Sequence, residues 1–164
     1  MSVQREGIVA PKAGAETTSD ADRRGTLLYT IAAILSLVGL ADAIYLTIEH
    51  LAGRSVQCTI VSGCSEVLSS SYATIFGLPL ASIGALAYFT VFSCAILAIF
   101  GYSSARILLT IVVALMFLAT LWLLFVQAFI LQAFCAYCLL SAGITLTLTG
   151  IIVAAAARHK RAVR

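Results

Sequence analysis

The sequence predicts an all-α integral membrane protein, a bundle of four transmembrane helices with an extracytoplasmic loop that contains a short interfacial helix. Two observations carry this expectation. Of 164 residues, 62% are hydrophobic and only 10% charged, with a mean hydropathy of +1.07, about half the charge of a soluble domain. Three long runs, Gly25 to Ala41, Val67 to Ala105 and Ile107 to Ala157, carry no charge at all. Strands of a membrane barrel would alternate apolar and polar residues, whereas these runs are apolar on every face.

The elements follow in chain order. Residues 1–24 are rich in charged and hydroxyl side chains and lack the apolar core of a signal peptide, so they read as a disordered cytoplasmic tail. The first span is expected at Thr26 to Ile48, followed by an outer loop over residues 51–77. Gly77 and Pro79 mark the start of the second span, Leu78 to Phe100, because proline suits a first helical turn and glycine the turn before it. The last uncharged run is more than twice the roughly 20 residues that cross a bilayer, so it folds back near Gln132. That gives spans at Arg106 to Ile130 and Phe134 to Ala157, then a basic tail over residues 158–164. Inside the outer loop Ser65 to Ser70 is too short to span. Val67 and Leu68 fall three and four positions after Cys64, as one turn of interfacial helix requires.

Charge sets the orientation. Of the ten Lys and Arg residues, Arg5, Lys12, Arg23 and Arg24 precede the first span, and Arg158, Lys160, Arg161 and Arg164 follow the last. Arg106 lies at the second turn, which leaves only Arg54 for the opposite side. Cationic loops stay in the cytoplasm, so both termini are expected inside and the loop 51–77 outside. The net charge of +3 comes from these flanks, which meet anionic lipid heads. It calls for no nucleic-acid partner.

This topology brings four of the five cysteines to one face: Cys58 and Cys64 in the outer loop, Cys135 and Cys138 at the outer end of the fourth span. Disulfides persist outside the cytoplasm, and two pairs on one face can exchange with each other. In Cys135-Ala136-Tyr137-Cys138 the sulfurs are three residues apart on one side of a helix start. There the helix dipole and unpaired N–H groups favour a thiolate. Leu139 stands where a c-type haem motif needs His, and the spacing suits a closed zinc cage poorly, so no metal is expected. Cys94 lies deep in the second span and reads as a packed apolar residue. Structural disulfides that only stabilise the outer loops remain an alternative at this point.

The order of these residues resembles the vitamin K epoxide reductase family, particularly its bacterial members. The matching features are the outer cysteine pair, the stretch Cys64-Ser65-Glu66-Val67-Leu68-Ser69-Ser70-Ser71-Tyr72-Ala73 leading to Phe76-Gly77-Leu78-Pro79, and Phe134-Cys135-Ala136-Tyr137-Cys138 opening the last helix. Tyr45-Leu46-Thr47 also fits. The resemblance implies an electron relay with redox disulfides Cys58–Cys64 and Cys135–Cys138. Cys58 would accept electrons from a partner dithiol, Cys64 would shuttle them to Cys135, and Cys138 would be the thiolate beside a lipid quinone, ubiquinone or menaquinone. Ser70 matches the family serine near the active site, and Tyr72 lies close to it in the same motif. The chain departs from the animal enzymes in having no asparagine, and in carrying Ala142 where they have a tyrosine; both argue against epoxide reduction. Only Arg158 to Arg164 follow the last span, so the expected donor is a separate thioredoxin-fold, DsbA-like protein.

Asp42 is the one charged residue inside a predicted span. Such a residue costs about 2.5 to 3.5 kcal/mol at mid-bilayer, which makes it a candidate for holding or protonating the quinone. His50 ends the same span and reads as interfacial. The expected function is a thiol:quinone oxidoreductase that supports disulfide formation from a bacterial plasma membrane. A DsbB-like enzyme has the same chemistry, but there the CxxC pair comes first in the chain. A non-catalytic membrane protein with structural disulfides is the other alternative.

Overall fold

A computed structural model describes residues 13–53, 64, 67, 70, 73–75 and 77–163. Four helices are long and apolar enough to cross a membrane: Gly25–Leu51, Leu80–Ile99, Ser103–Leu131 and Ala136–Ala157. They form the all-α bundle that hydropathy predicts. Helix α1 (Ala13–Leu51) packs most extensively on α2 (Leu80–Ile99) and also meets α4 (Ala136–Val163). Helix α3 (Ser103–Phe125) closes the ring against α2 and α4.

Helix α1 begins at Ala13, so residues 13–24, expected as part of a disordered tail, continue the helix. The reason is local: Ala, Glu and Arg are good helix formers, no proline follows Pro11 there, and a helix nucleated in the span propagates outward at little cost. Residues 1–12 of that expected tail lie outside the described residues. At its other end α1 stops through Gly53, whose φ of 63° only glycine adopts freely, with the Gly53 N–H donating to the His50 carbonyl at 3.2 Å. Helix α2 ends in a Schellman turn. Gly101, at φ 90°, donates to the Ala98 carbonyl at 3.1 Å and Tyr102 to the Leu97 carbonyl at 3.2 Å.

Two features were not legible as elements. A small antiparallel hairpin pairs β1 (Thr74–Ile75) with β2 (Leu78–Pro79), with Ile75 opposite Leu78. Gly77 reverses the chain at φ 79° and Pro79 sits directly before α2, so the second span starts at Leu80 rather than Leu78. Helix α3 also does not end as an α-helix. Val126–Leu131 form a π-helical turn closed by Gln132 in the left-handed region at φ 49°.

The core lies between all four helices and is made of small and branched residues, among them Ala32, Ala33, Ala43, Val91, Ala95, Leu109, Leu148 and Ile152. Small side chains let membrane helices approach closely. Gly39 is the closest approach: a Cβ there would overlap the Tyr88 ring. That ring is buried, and its hydroxyl donates to the Ser141 carbonyl at 3.0 Å. It also shares hydrogen bonds with the hydroxyls of Ser141 at 2.8 Å and Thr145 at 3.1 Å. A polar group in lipid must be satisfied internally, and here one tyrosine does so while joining α2 to α4. Cys94 packs in this same core as a free thiol.

Candidate redox site and its cavity

The C-terminal end of α1, the hairpin, the π-helical turn and the start of α4 gather at one end of the bundle around a common cavity. At the other end, the Arg106 guanidinium lies 5.9 Å from the centre of the Tyr29 ring. Asp42, Cys64, Ser70, Cys135 and Cys138 all lie at the cavity end; Cys58, Tyr72 and the expected pairing of Cys58 with Cys64 lie outside the described residues.

Cys64 is disulfide-bonded, whereas Cys135 and Cys138 are free thiols. Cys64 and Cys135 are 1% and 0% exposed and pack into one buried cluster with Val67, Tyr137 and Cys138. Both Cys64 and Val67 are helical, in keeping with the turn expected after Cys64. Tyr137 is held in turn by Tyr45 of α1, with ring centroids 5.2 Å apart.

Cys135 precedes the first residue of α4, and its carbonyl accepts the Leu139 N–H at 3.0 Å. It therefore occupies the capping position of that helix, and its sulfur takes the part a capping oxygen usually plays. The Cys138 thiol hydrogen-bonds to that sulfur, as do the backbone N–H groups of Cys138 and Tyr137. The thiol of Cys138 is the largest influence and pulls the Cys135 thiol down to about 7, against burial, which pushes it up. The pair thus holds one thiolate near neutral pH.

Cys138 also lines the cavity, which Cys135 does not. The cavity has a volume of about 170 Å³ and mostly apolar walls. Its polar positions include Asp42, His50, Ser70 and Gln127. Asp42 is 9% exposed, and its Oδ2 is buried without a hydrogen-bond partner among the described residues. It lies close enough to both cysteines to interact with them electrostatically. The Ser70 hydroxyl donates to the Val67 carbonyl at 2.7 Å. Its hydrogen is committed to the local turn, which leaves it able to accept from a ligand.

Gln127 was not singled out from the sequence. It is 3% exposed, lines the cavity from the π-helical turn, and its Oε1 accepts the Cys135 N–H at 3.3 Å. Its only signal was an amide in an apolar run, shared with Gln132. Ser141, also on the cavity wall, gave none, whereas Tyr88, on the same wall, is one of the aromatics whose ring can flank a flat quinone.

The model of the vitamin K epoxide reductase family matches residues 30–153. The matched region contains Cys58, Cys64, Cys135 and Cys138, together with the whole cavity wall.

Proposed function

From the premise that the chain belongs to the vitamin K epoxide reductase family, whose members are oxidoreductases, we propose that it passes electrons from an extracytoplasmic dithiol to a lipid quinone. One observation carries this reading: Cys135 packs against disulfide-bonded Cys64, while Cys138, whose thiol meets the Cys135 sulfur, also lines an apolar cavity. A thiol pair placed between a disulfide and a cavity is the arrangement that a relay needs.

The relay is written as exchange at sulfur. A partner dithiol reduces Cys58–Cys64 through attack at Cys58 and leaves as a disulfide. The Cys64 thiolate then attacks Cys135 of an oxidised motif and displaces Cys138 as a thiolate; Cys58 resolves the mixed disulfide. The motif is now reduced, and the loop pair is oxidised again. Two thiols plus one quinone give one disulfide plus one quinol, so the two electrons and two protons that leave sulfur both arrive on the quinone. Cys138 is the sulfur beside the acceptor, and its thiol bond to Cys135 is the path by which the second sulfur follows. The combination of disulfide-bonded Cys64 with free Cys135 and Cys138 corresponds to the state ready to reduce quinone.

The cavity fits the acceptor's head. An apolar cavity of about 150 Å³ admits benzene, and this one is slightly larger at about 170 Å³, which suits one substituted ring. Asp42, Ser70 and Tyr72 are the polar residues given to the quinone, with Asp42 as the proton donor and the Ser70 oxygen as the acceptor of the quinol hydroxyl once it forms. The charge distribution supports cytoplasmic termini, with the site on the outer face of a plasma membrane, where a separate thioredoxin-fold, DsbA-like protein would supply the dithiol.

The test is quinone absorbance after a reduced thioredoxin-fold dithiol protein is added to the purified protein in detergent. Rapid quinone loss is expected, and none in Cys138→Ala. No loss with the unaltered chain, and no change in its cysteines under mild reductant, would reject the relay in favour of structural disulfides.

A further inference from the structure

Gln127 occupies the junction between the thiol motif and the cavity, and its two polar atoms have separate fates. Oε1 is fixed by chemistry, since the Cys135 N–H is a donor and can meet only the oxygen end of the carboxamide. Nε2 therefore turns away from Cys135. No hydrogen bond from it is found among the described residues, and it is not one of the fully buried unpartnered atoms, so within a side chain that is 3% exposed it keeps some open contact. An amide donor in apolar surroundings gains from a partner, and the cavity that Gln127 lines is where one can enter. The second unpaired polar group on that wall, Oδ2 of Asp42, belongs to α1, while Gln127 projects from the π-helical turn. With the Asp42 carboxyl protonated, a ligand that satisfies both carries two separated oxygen acceptors, and the apolar walls of the cavity suit the ring of a quinone.

We propose that Gln127 binds the quinone, with Nε2 donating to one carbonyl oxygen while Oε1 holds the backbone of Cys135. This rests on the oxidoreductase reading given above. One carboxamide then fixes the acceptor and the thiol motif relative to each other. As the motif gives up two electrons and two protons to form its disulfide, that quinone oxygen becomes a hydroxyl. The Nε2 donor stabilises the negative charge that develops on it. The π-helical turn has a purpose in this geometry: its wider spacing sets a side chain beside Cys135 and against the cavity together, and such turns recur at functional sites.

The test uses the oxidised full chain in detergent with decylubiquinone, so that binding is read without turnover. In the unaltered protein the carbonyl stretch of bound quinone, isolated by infrared difference, is expected below that of free quinone; an unshifted band overturns the assignment without any variant. Gln127→Met keeps the side-chain length and removes its polar atoms. It is expected to weaken binding by about tenfold, the loss typical of one buried hydrogen bond, and to move the band back up. Equal affinity and an unmoved band would leave Gln127 as an anchor of Cys135 only and overturn the proposal. Quinone bound with a lowered band but never reduced by dithiols would support the assignment and reject the oxidoreductase reading.

Discussion

Cys64 and Cys135 are buried against each other, although one belongs to the loop after α1 and the other to the start of α4. Their contact makes the loop and the motif a single reactive unit and predicts a trapped intermediate. In Cys138→Ala the Cys135 thiolate has lost its own partner, and the nearest sulfur it can attack is Cys64. A stable Cys64–Cys135 disulfide should accumulate, with Cys58 released as a thiol. Peptide mapping under non-reducing conditions checks this, and finding Cys64 joined only to Cys58 would count against the exchange step.

The gross architecture was legible because the bilayer imposes it. Uncharged runs gave the four spans to within a few residues, and Cys64 meets Cys135 and Cys138 in one cluster. Local backbone geometry was not legible to the same degree. Val126–Leu131 contains neither glycine nor proline, so nothing in it distinguishes a π-helical turn from more α-helix. The hairpin at Thr74–Pro79 depends on Gly77 and Pro79, a pair that suits a helix start equally well, so the sequence marks the residues without marking the reversal they produce. Gln127 was missed for a related reason. Its role follows from which backbone N–H lies beside it, and that is set by the tertiary path of residues 132–135.

The capping geometry of Cys135 gives a pH dependence of known sign. Its thiol is drawn down from the ordinary 9.0 to about 7, chiefly by the Cys138 thiol. A depressed acid stabilises the fold fully above the unfolded value and ceases to do so as pH falls through the folded value. The reduced protein should therefore gain thermal stability as pH rises from about 7 to 9.0. Thiolate ultraviolet absorbance should grow from the lower end of that window. In Cys138→Ala the absorbance midpoint should move up and the gain in stability shrink. An unchanged midpoint in the variant would show that the Cys138 thiol is not the main cause.

Gly39 and Tyr88 give a prediction about packing with no change in charge. A methyl at Gly39 meets the Tyr88 ring directly, and the ring cannot retreat without breaking its bonds to Ser141 and Thr145. Gly39→Ala should destabilise the bundle by about 1 to 3 kcal/mol, as overpacking of a filled core does. Tyr88→Phe should cost less, about 1 kcal/mol for the lost hydrogen bonds. Unfolding in mixed detergent micelles measures both. A Gly39→Ala protein as stable as the original would mean that α1 and α2 are not held at this spacing.

Asp42 separates function from stability most clearly, because its carboxyl is buried in an apolar bundle with Oδ2 unpartnered among the described residues. Burial of a polar group without a partner works against folding, so Asp42→Leu should raise the thermal midpoint by removing that penalty with a side chain of similar size. If Asp42 protonates the quinone, the same variant should lower quinone reduction by on the order of a hundredfold, the usual contribution of a positioned acid. Asp42→Asn retains a hydrogen-bond donor but has no proton to transfer. It should keep most of the quinone affinity and show the same loss of turnover. Stability that rises while turnover falls is the signature of a residue kept for its chemistry. Full turnover in Asp42→Leu would remove Asp42 from the site and leave the protons to come from the thiols and solvent by another path.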